Sequence, residues 1–282
     1  MKIKDAVVVI TGGASGIGRI MGRMALEKGA KGVAVWDINQ ENLDKVVQEH
    51  TETINNVQNA EKGACDFPKV KGYRVDVSDM EAVKAAYAAT VKDMGAVDIL
   101  INNAGVVTTN KTFDLNTKAD IDRTITINTI APMYVALAML PDMIARDRGH
   151  ICNICSAAGL LSNPRMSVYA ASKWAAMGWS DSVAIELKER KSHVKVTTLA
   201  PYYINTGMFD GVKSRFFPIL DPEKTAKRIL RAIERNTRFK GIPFSFRFTR
   251  LMQGILSMSM VDWIFGSVFG IYHTMDHFTG RK

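Results

Sequence analysis

The stretch that most limits what this chain can fold into is Thr11-Gly12-Gly13-Ala14-Ser15-Gly16-Ile17-Gly18. It follows a short β-branched apolar run at residues 6–10, which reads as a buried parallel strand, and it opens a helical pattern over residues 17–28. Strand, glycine turn and helix in that order make a phosphate cradle. The glycines let the backbone approach a pyrophosphate, and the first helical turn offers unpaired N–H groups and the positive end of a dipole.

Alternating strands and helices follow. A strand over residues 32–36 ends at Asp37, whose carboxylate can accept both ribose hydroxyls of an adenosine and repels a 2′-phosphate. That favours NAD over NADP. Residues 40–50 look helical, and the polar stretch 51–71 reads as a helix extension plus a surface loop. A third strand is expected at residues 73–77, carrying Asp76 and Val77, with Ser78 and Glu81 as a capping box for a helix to residue 94. Asp76 is either a partner of the adenine amine or an ordinary loop acid. A fourth strand at 97–101 leads to Asn102-Asn103-Ala104-Gly105, small and amide residues suited to pack beneath the adenine and tie neighbouring strands. A helical region spans 119–146 with Asn128 among isoleucines. A polar side chain there either satisfies a local carbonyl or kinks the helix and serves a site. A fifth strand at 150–155 ends at Ser156, and a sixth lies at 194–199.

Between them, a helix over residues 168–190 carries Tyr169-Ala170-Ala171-Ser172-Lys173. A phenol and an ammonium four residues apart share one helix face. An unperturbed tyrosine titrates near ~10, and a neighbouring cation favours its phenolate. The pair can therefore make a proton acceptor from a weak acid.

Composition removes several classes. The chain has 282 residues, 47% hydrophobic and 23% charged, enough for a full globular core. Its net charge of +9 is spread along the sequence rather than gathered, which argues against nucleic acid as a partner. Three cysteines make no disulfide framework and suit a reducing, cytoplasmic compartment. Cys152 and Cys155 fall on opposite faces if both lie on a strand. His273 and His277 have metal-capable spacing without a third ligand, so no metal is expected. The charged start, Met1 to Asp5, runs straight into the first strand, and no apolar run is long enough for a confident membrane span.

Taken together, TGGASGIG, Asp37, NNAG, Asn128, Ser156 and Tyr169-x-x-x-Lys173 resemble the classical short-chain dehydrogenases/reductases, in the same order and at compatible spacings. The resemblance covers residues 1 to about 205 and implies a single α/β domain: a Rossmann-type, doubly wound parallel sheet of about seven strands with helices on both faces. It implies that Tyr169 is the general acid/base, that Lys173 lowers its pKa and holds the nicotinamide ribose, that Ser156 orients the substrate oxygen, and that Asn128 anchors a water relaying protons to Lys173. The NAD site it implies takes in Thr11, Gly12, Ser15, Gly16, Ile17, Gly18, Asp37, Asp76, Val77, Asn103, Ala104, Gly105, Tyr169, Lys173, Pro201, Ile204 and Thr206. Many relatives have Pro-Gly after the sixth strand, where this chain has Pro201-Tyr202.

The loop from Tyr202 to Glu223 and the ending Met275-Asp276-His277-Phe278-Thr279-Gly280-Arg281-Lys282 are similar to the epidermal-type retinol dehydrogenases and the lipid-droplet 17β-hydroxysteroid dehydrogenases. That branch implies apolar alcohols or carbonyls of retinoid, steroid or long-chain lipid type. It usually carries a hydrophobic N-terminal anchor, which residues 1–5 do not resemble. The family implies homodimers or homotetramers. A dehydrogenase of small polar alcohols and a non-catalytic NAD sensor are the alternatives.

The expected domain runs over 1–250, with a substrate loop at 201–222, a helix at 222–234 and a last strand at 241–248. A hydrophobic tail, 251–282, covers the pocket, meets a second subunit or lies on a membrane surface with Arg and Lys at the headgroups.

Overall fold

The computed structural model describes residues 1–60 and 68–280. Seven parallel strands form one sheet: β1 (Val7–Thr11), β2 (Gly32–Asp37), β3 (Lys69–Arg74), β4 (Ile99–Asn102), β5 (His150–Ile154), β6 (Lys195–Pro201) and β7 (Phe239–Ile242), in the order β3-β2-β1-β4-β5-β6-β7. The order reverses direction between β1 and β4, and a crevice opens beyond the carboxyl ends of strands at such a point.

Successive side chains of β1 point to opposite faces, as they must on a strand. Val8 and Ile10 join a core with α1 (Gly16–Glu27), α2 (Gln40–Ala60) and α7 (Pro222–Glu234). Val7 and Val9 join one with α3 (Met80–Met94), α5 (Ala131–Ala145) and the later turns of α6 (Ser167–Glu189); α4 (Lys118–Ile125) precedes α5. A buried polar chain ties the middle of the sheet: Asn102 Nδ2 donates to Asn153 Oδ1 at 2.9 Å, Asn153 Nδ2 to Ser180 Oγ at 2.8 Å, and Ser180 Oγ meets Thr198 Oγ1 at 2.7 Å. Such a network specifies one arrangement of its elements.

Four boundaries differ from expectation. The third strand is residues 69–74, not 73–77, and just past its end the Val75 N–H bonds the carbonyl of Asp37, the last residue of β2. β3 is an edge strand with Lys69 and Lys71 along it, so it lacks the apolar run that marks a central strand. The α3 cap is Asp79, accepting from Glu81 N and Ala82 N, while Ser78 bonds Asp76. The helical region near 119–146 is two helices joined by a π-turn, Thr126–Ile130, with Asn128 inside it. The last strand is 239–242, not 241–248. Pro243 lacks the N–H that a sheet ladder needs, and Phe244–Phe248 turns as a 3-10 helix that buries Phe246 and exposes Phe244 and Phe248.

The helical extension expected after residue 50 reaches Ala60; the loop expected after it, Cys65 included, lies largely outside the described residues. Cys152 and Cys155 are buried free thiols, but only Cys152 is on β5; Cys155 N–H turns to the Leu199 carbonyl. Among the described residues one helical stretch, Lys118–Ala145, is long and apolar enough to cross a membrane. Its Val135, Met139 and Met143 are packed in the core.

The tail is short pieces rather than one long helix: α8 (Thr249–Ile255), α9 (Met258–Asp262), a π-turn Trp263–Val268 and a 3-10 turn Ile271–His273. Its last described residues form a strap tied to the loops after β4, before α6 and after β6. Asn110 Nδ2 donates to the Met275 carbonyl, Arg165 pairs with Asp276, and Thr279 N donates to the Asp210 carbonyl.

Candidate active site

The end of β1 and the start of α1 build one side of a cleft of about 560 Å3. Gly12 and Gly16 have positive φ, +61° and +54°, where side-chain-bearing residues are strained. A Cβ on Gly18 would stand 2.5 Å from the Gly12 carbonyl and 2.7 Å from Asn103 Nδ2, so only glycine lets the turn close. The first turn of α1 carries no acid, which leaves its N–H groups and dipole uncompensated toward an anion. Asp37 Oδ2 accepts from Ala14 N at 3.1 Å and so fixes this loop to the end of β2.

The NNAG segment is bound to the same loop. Thr11 Oγ1 accepts from Asn103 N and Ala104 N, and Asn103 Nδ2 donates to the carbonyls of Thr11 and Gly12 at 3.0 Å each. Asp76 accepts from the N–H and hydroxyl of Ser78 at the rim.

The opposite wall comes from β5, α6 and the start of the loop after β6. Ser156 caps its turn by accepting from Ala158 N at 3.1 Å, and its side chain is hydrogen-bonded to Tyr169. Lys173 sits one turn on from Tyr169, buried, with Nζ donating to the Ile154 carbonyl at 3.3 Å and lying 5.7 Å from the Tyr169 ring centre. Burial pushes the Tyr169 phenol well above its ordinary range, against the downward pull of the Ser156 hydrogen bond; burial pulls Lys173 down. The lowering expected from Lys173 does not appear here: the downward pull on the phenol comes from Ser156.

Asn128 does not reach the cleft wall. Its Oδ1 accepts from Val106 N at 2.8 Å, and its Nδ2 donates to the Val106 carbonyl and to Ser172 Oγ, joining the π-turn, the loop after β4 and α6. Both amide hydrogens are used. A Cβ on Gly105 would stand 3.2 Å from Asn128 Oδ1 and 3.6 Å from Lys173 Nζ, so the bare face of this glycine lies between the two polar atoms.

This cleft is lined by Gly12, Ser15, Gly16, Ile17, Asp37, Asp76, Val77, Asn103, Ala104, Gly105, Ser156, Tyr169, Lys173, Pro201, Ile204 and Thr206, all expected from the sequence. Thr11, Gly18 and Asn128 stand behind it as supports. Met208 and Phe209, from the expected substrate loop, also line it, as do Ile38, Val106 and Ile127, which were not expected. Ile38 and Val106 follow directly on Asp37 and the NNAG segment, which was the only signal available for them.

Comparison with known proteins places this geometry. The short chain dehydrogenase family model matches residues 6–215. Mouse (Mus musculus) epidermal retinol dehydrogenase 2 is 33% identical over 284 residues, covering 99% of this chain and 87% of the relative. Estradiol 17-beta-dehydrogenase 11 of Pongo abelii is 32% identical over 255 residues, covering 90% and 80%. A short chain dehydrogenase/reductase from Burkholderia phymatum, solved in complex with NAD, superposes with TM-score 0.78 at 23% identity, covering 90% of this chain and 95% of that one, a likeness of fold. A metagenomic short-chain oxidoreductase solved in complex with NADP gives TM-score 0.67 at 28% identity, covering 85% and 96%. The chain therefore belongs to the short chain dehydrogenase family, on the branch of the epidermal retinol dehydrogenases, and is an oxidoreductase.

Proposed function

We propose that this protein transfers a hydride between NAD and an apolar alcohol or its carbonyl, of retinoid, steroid or long-chain lipid type. The observation that carries the reading is the convergence of Ser156, Tyr169 and Lys173 on the same cleft as the glycine loop and Asp37. The glycine-only turn and the acid-free helix start fit a pyrophosphate, and Asp37 at the end of β2 fits two ribose hydroxyls. Asp76 and Val77 flank the adenine end, and Pro201, Ile204 and Thr206 the nicotinamide end. NAD, when bound, accepts or returns the hydride.

The chain's own residues handle the proton. Ser156 holds the substrate oxygen against Tyr169, and Tyr169 takes the hydroxyl proton during oxidation and returns it during reduction. Lys173 orients the ribose and favours the phenolate. Asn128 fixes the loop around Gly105, and its remaining acceptor lone pair anchors a water between Oδ1 and Lys173 Nζ through which the proton leaves. The apolar substrate class is supported by Met208, Phe209 and Tyr202 in the cleft lining and by the names of the relatives. NADH formation with a panel of retinol, steroids, and long- and short-chain alcohols tests the reading; turnover confined to short polar alcohols rejects it.

The tail, part of the same domain, supports a cytoplasmic protein resting on a lipid surface. Phe244, Leu251, Ile255, Met258 and Trp263 are 60–72% exposed. Beside them a hollow is lined by Lys213, Arg215, Trp263 and His273. Exposed apolar groups next to cations suit a headgroup boundary. Flotation with anionic liposomes tests this, and binding that survives deletion from Leu251 onward rejects it. Exposed Leu137 on α5 with Trp174 and Ile185 on α6 supports a homodimer or homotetramer.

A further inference from the structure

A small chamber of about 30 Å3 adjoins the cleft, sharing Ser156, Tyr169 and Phe209 with it and walled also by Leu161, Met166, Phe246 and Ile271. Roughly 10–15 Å3 is enough for one water. The chamber therefore takes a single polar tip, not a substrate. Its one amide is Asn163, 7% exposed.

The hydrogens around Asn163 can be assigned. Nδ2 has two, which go to Tyr203 Oη at 3.1 Å and Thr274 Oγ1 at 3.2 Å. The Thr274 hydroxyl donates to the Ile271 carbonyl at 2.8 Å. The Tyr203 hydroxyl reaches Thr274 Oγ1 at 3.0 Å and Met166 Sδ at 3.8 Å. Every donor in the cluster has an acceptor, whereas Asn163 Oδ1 is buried and has no partner among the described residues. An orphaned buried acceptor is destabilising, and a donor that reaches it removes that penalty. The residues that orient this amide come from three distant parts of the chain: the segment before α6, the loop after β6 and the strap.

We propose that Asn163, held by Tyr203 and Thr274, is a specificity site for a second hydroxyl on the substrate. The proposal deepens the apolar-alcohol reading above and rests on it. The reacting carbinol lies at Ser156 and Tyr169, the apolar body fills the main cleft, and a hydroxyl elsewhere on the same skeleton enters the chamber and donates to Asn163 Oδ1. An ether or a methyl at that position offers no hydrogen and leaves the acceptor unpaired.

The test compares medium-chain diols, with the second hydroxyl at successive positions, with the monomethyl ether of each, at saturating NAD. For one position the diol is expected to exceed its ether about tenfold in kcat/KM, carried by KM, as one hydrogen bond of this kind allows. In Asn163→Leu that ratio is expected to fall to near one. Asn163→Ala, the smaller cut, is measured beside it, so that a failure of one variant to fold does not decide the matter. A ratio near one at every position in the wild-type protein overturns the proposal, as does a ratio that survives in a folded Asn163 variant. If neither diols nor ethers nor simple long-chain alcohols yield NADH, the hydride-transfer reading itself has failed. Equal turnover of diols and ethers removes only the second-hydroxyl site.

Discussion

Lys173 Nζ lies 5.7 Å from the centre of the Tyr169 ring, and its hydrogen bond goes to the Ile154 carbonyl rather than to the phenol. The ammonium is held in place, yet burial keeps the phenol protonated. A phenol raised in this way is a poor base at neutral pH, and in the proposed reaction the positive charge of an oxidised nicotinamide would favour its phenolate. In the proposed reaction, oxidation needs Tyr169 deprotonated. The rate of alcohol oxidation at saturating NAD should therefore climb with pH through the Tyr169 pKa, and carbonyl reduction should fall over the same range. Removing the cation disfavours the phenolate, so Lys173→Met should move the climb to higher pH. Paired pH profiles of kcat check this.

Asp37 fixes the glycine loop and faces the cleft at the end of β2. Its charge is expected to set cofactor choice. Asp37→Ala should lower kcat/KM for NAD roughly ten- to a hundredfold, the scale of lost hydrogen bonds to a charged group, while NADP loses less or gains. Initial rates with both cofactors measure it. A wild-type protein faster with NADP would remove the role given to Asp37.

Gly105 leaves space between Asn128 Oδ1 and Lys173 Nζ. A methyl group there takes the place assigned to the relay water. Gly105→Ala should slow turnover about tenfold or more, since a displaced bridging water is not replaced by a group that bonds as it did. Steady-state kcat at saturating substrate is the readout.

His50 is buried against Gly22, and both ring nitrogens are without partners among the described residues. Burial lowers its pKa to about 4, so the folded state keeps it neutral while the unfolded chain takes up a proton near ~6.5. The unfolded state binds more protons in that window, so stability should fall as pH drops from about 6.5 to about 4, by up to about 3 kcal/mol. His50→Leu should flatten this part of a denaturation-versus-pH curve.

The glycine loop, Asp37, NNAG and the Tyr169–Lys173 pair were legible in the sequence because each is a local spacing that is itself the chemistry. β3 was misplaced because an edge strand alternates lysines where a central strand is apolar. The final strand was overextended because the alternation of Phe244, Phe246 and Phe248 fits a strand, whereas Pro243 ends the ladder. The π-turn at Asn128 was half legible: a costly mid-helix amide signalled a disturbance, but not which carbonyl it would meet. The Asn163 cluster was not legible at all, since Thr274 lies 111 residues away and only the folded strap brings it near.

The central claim is that the Tyr169 hydroxyl moves the proton while hydride passes to NAD. Tyr169→Phe removes that oxygen and leaves the ring against Phe209, a contact with centroids 6.2 Å apart. The measurement is NADH formation by this variant on the best alcohol of the panel, with NAD binding measured in parallel. The account predicts a fall of roughly a hundred- to ten-thousandfold in kcat. Oxidation at the wild-type rate would contradict it.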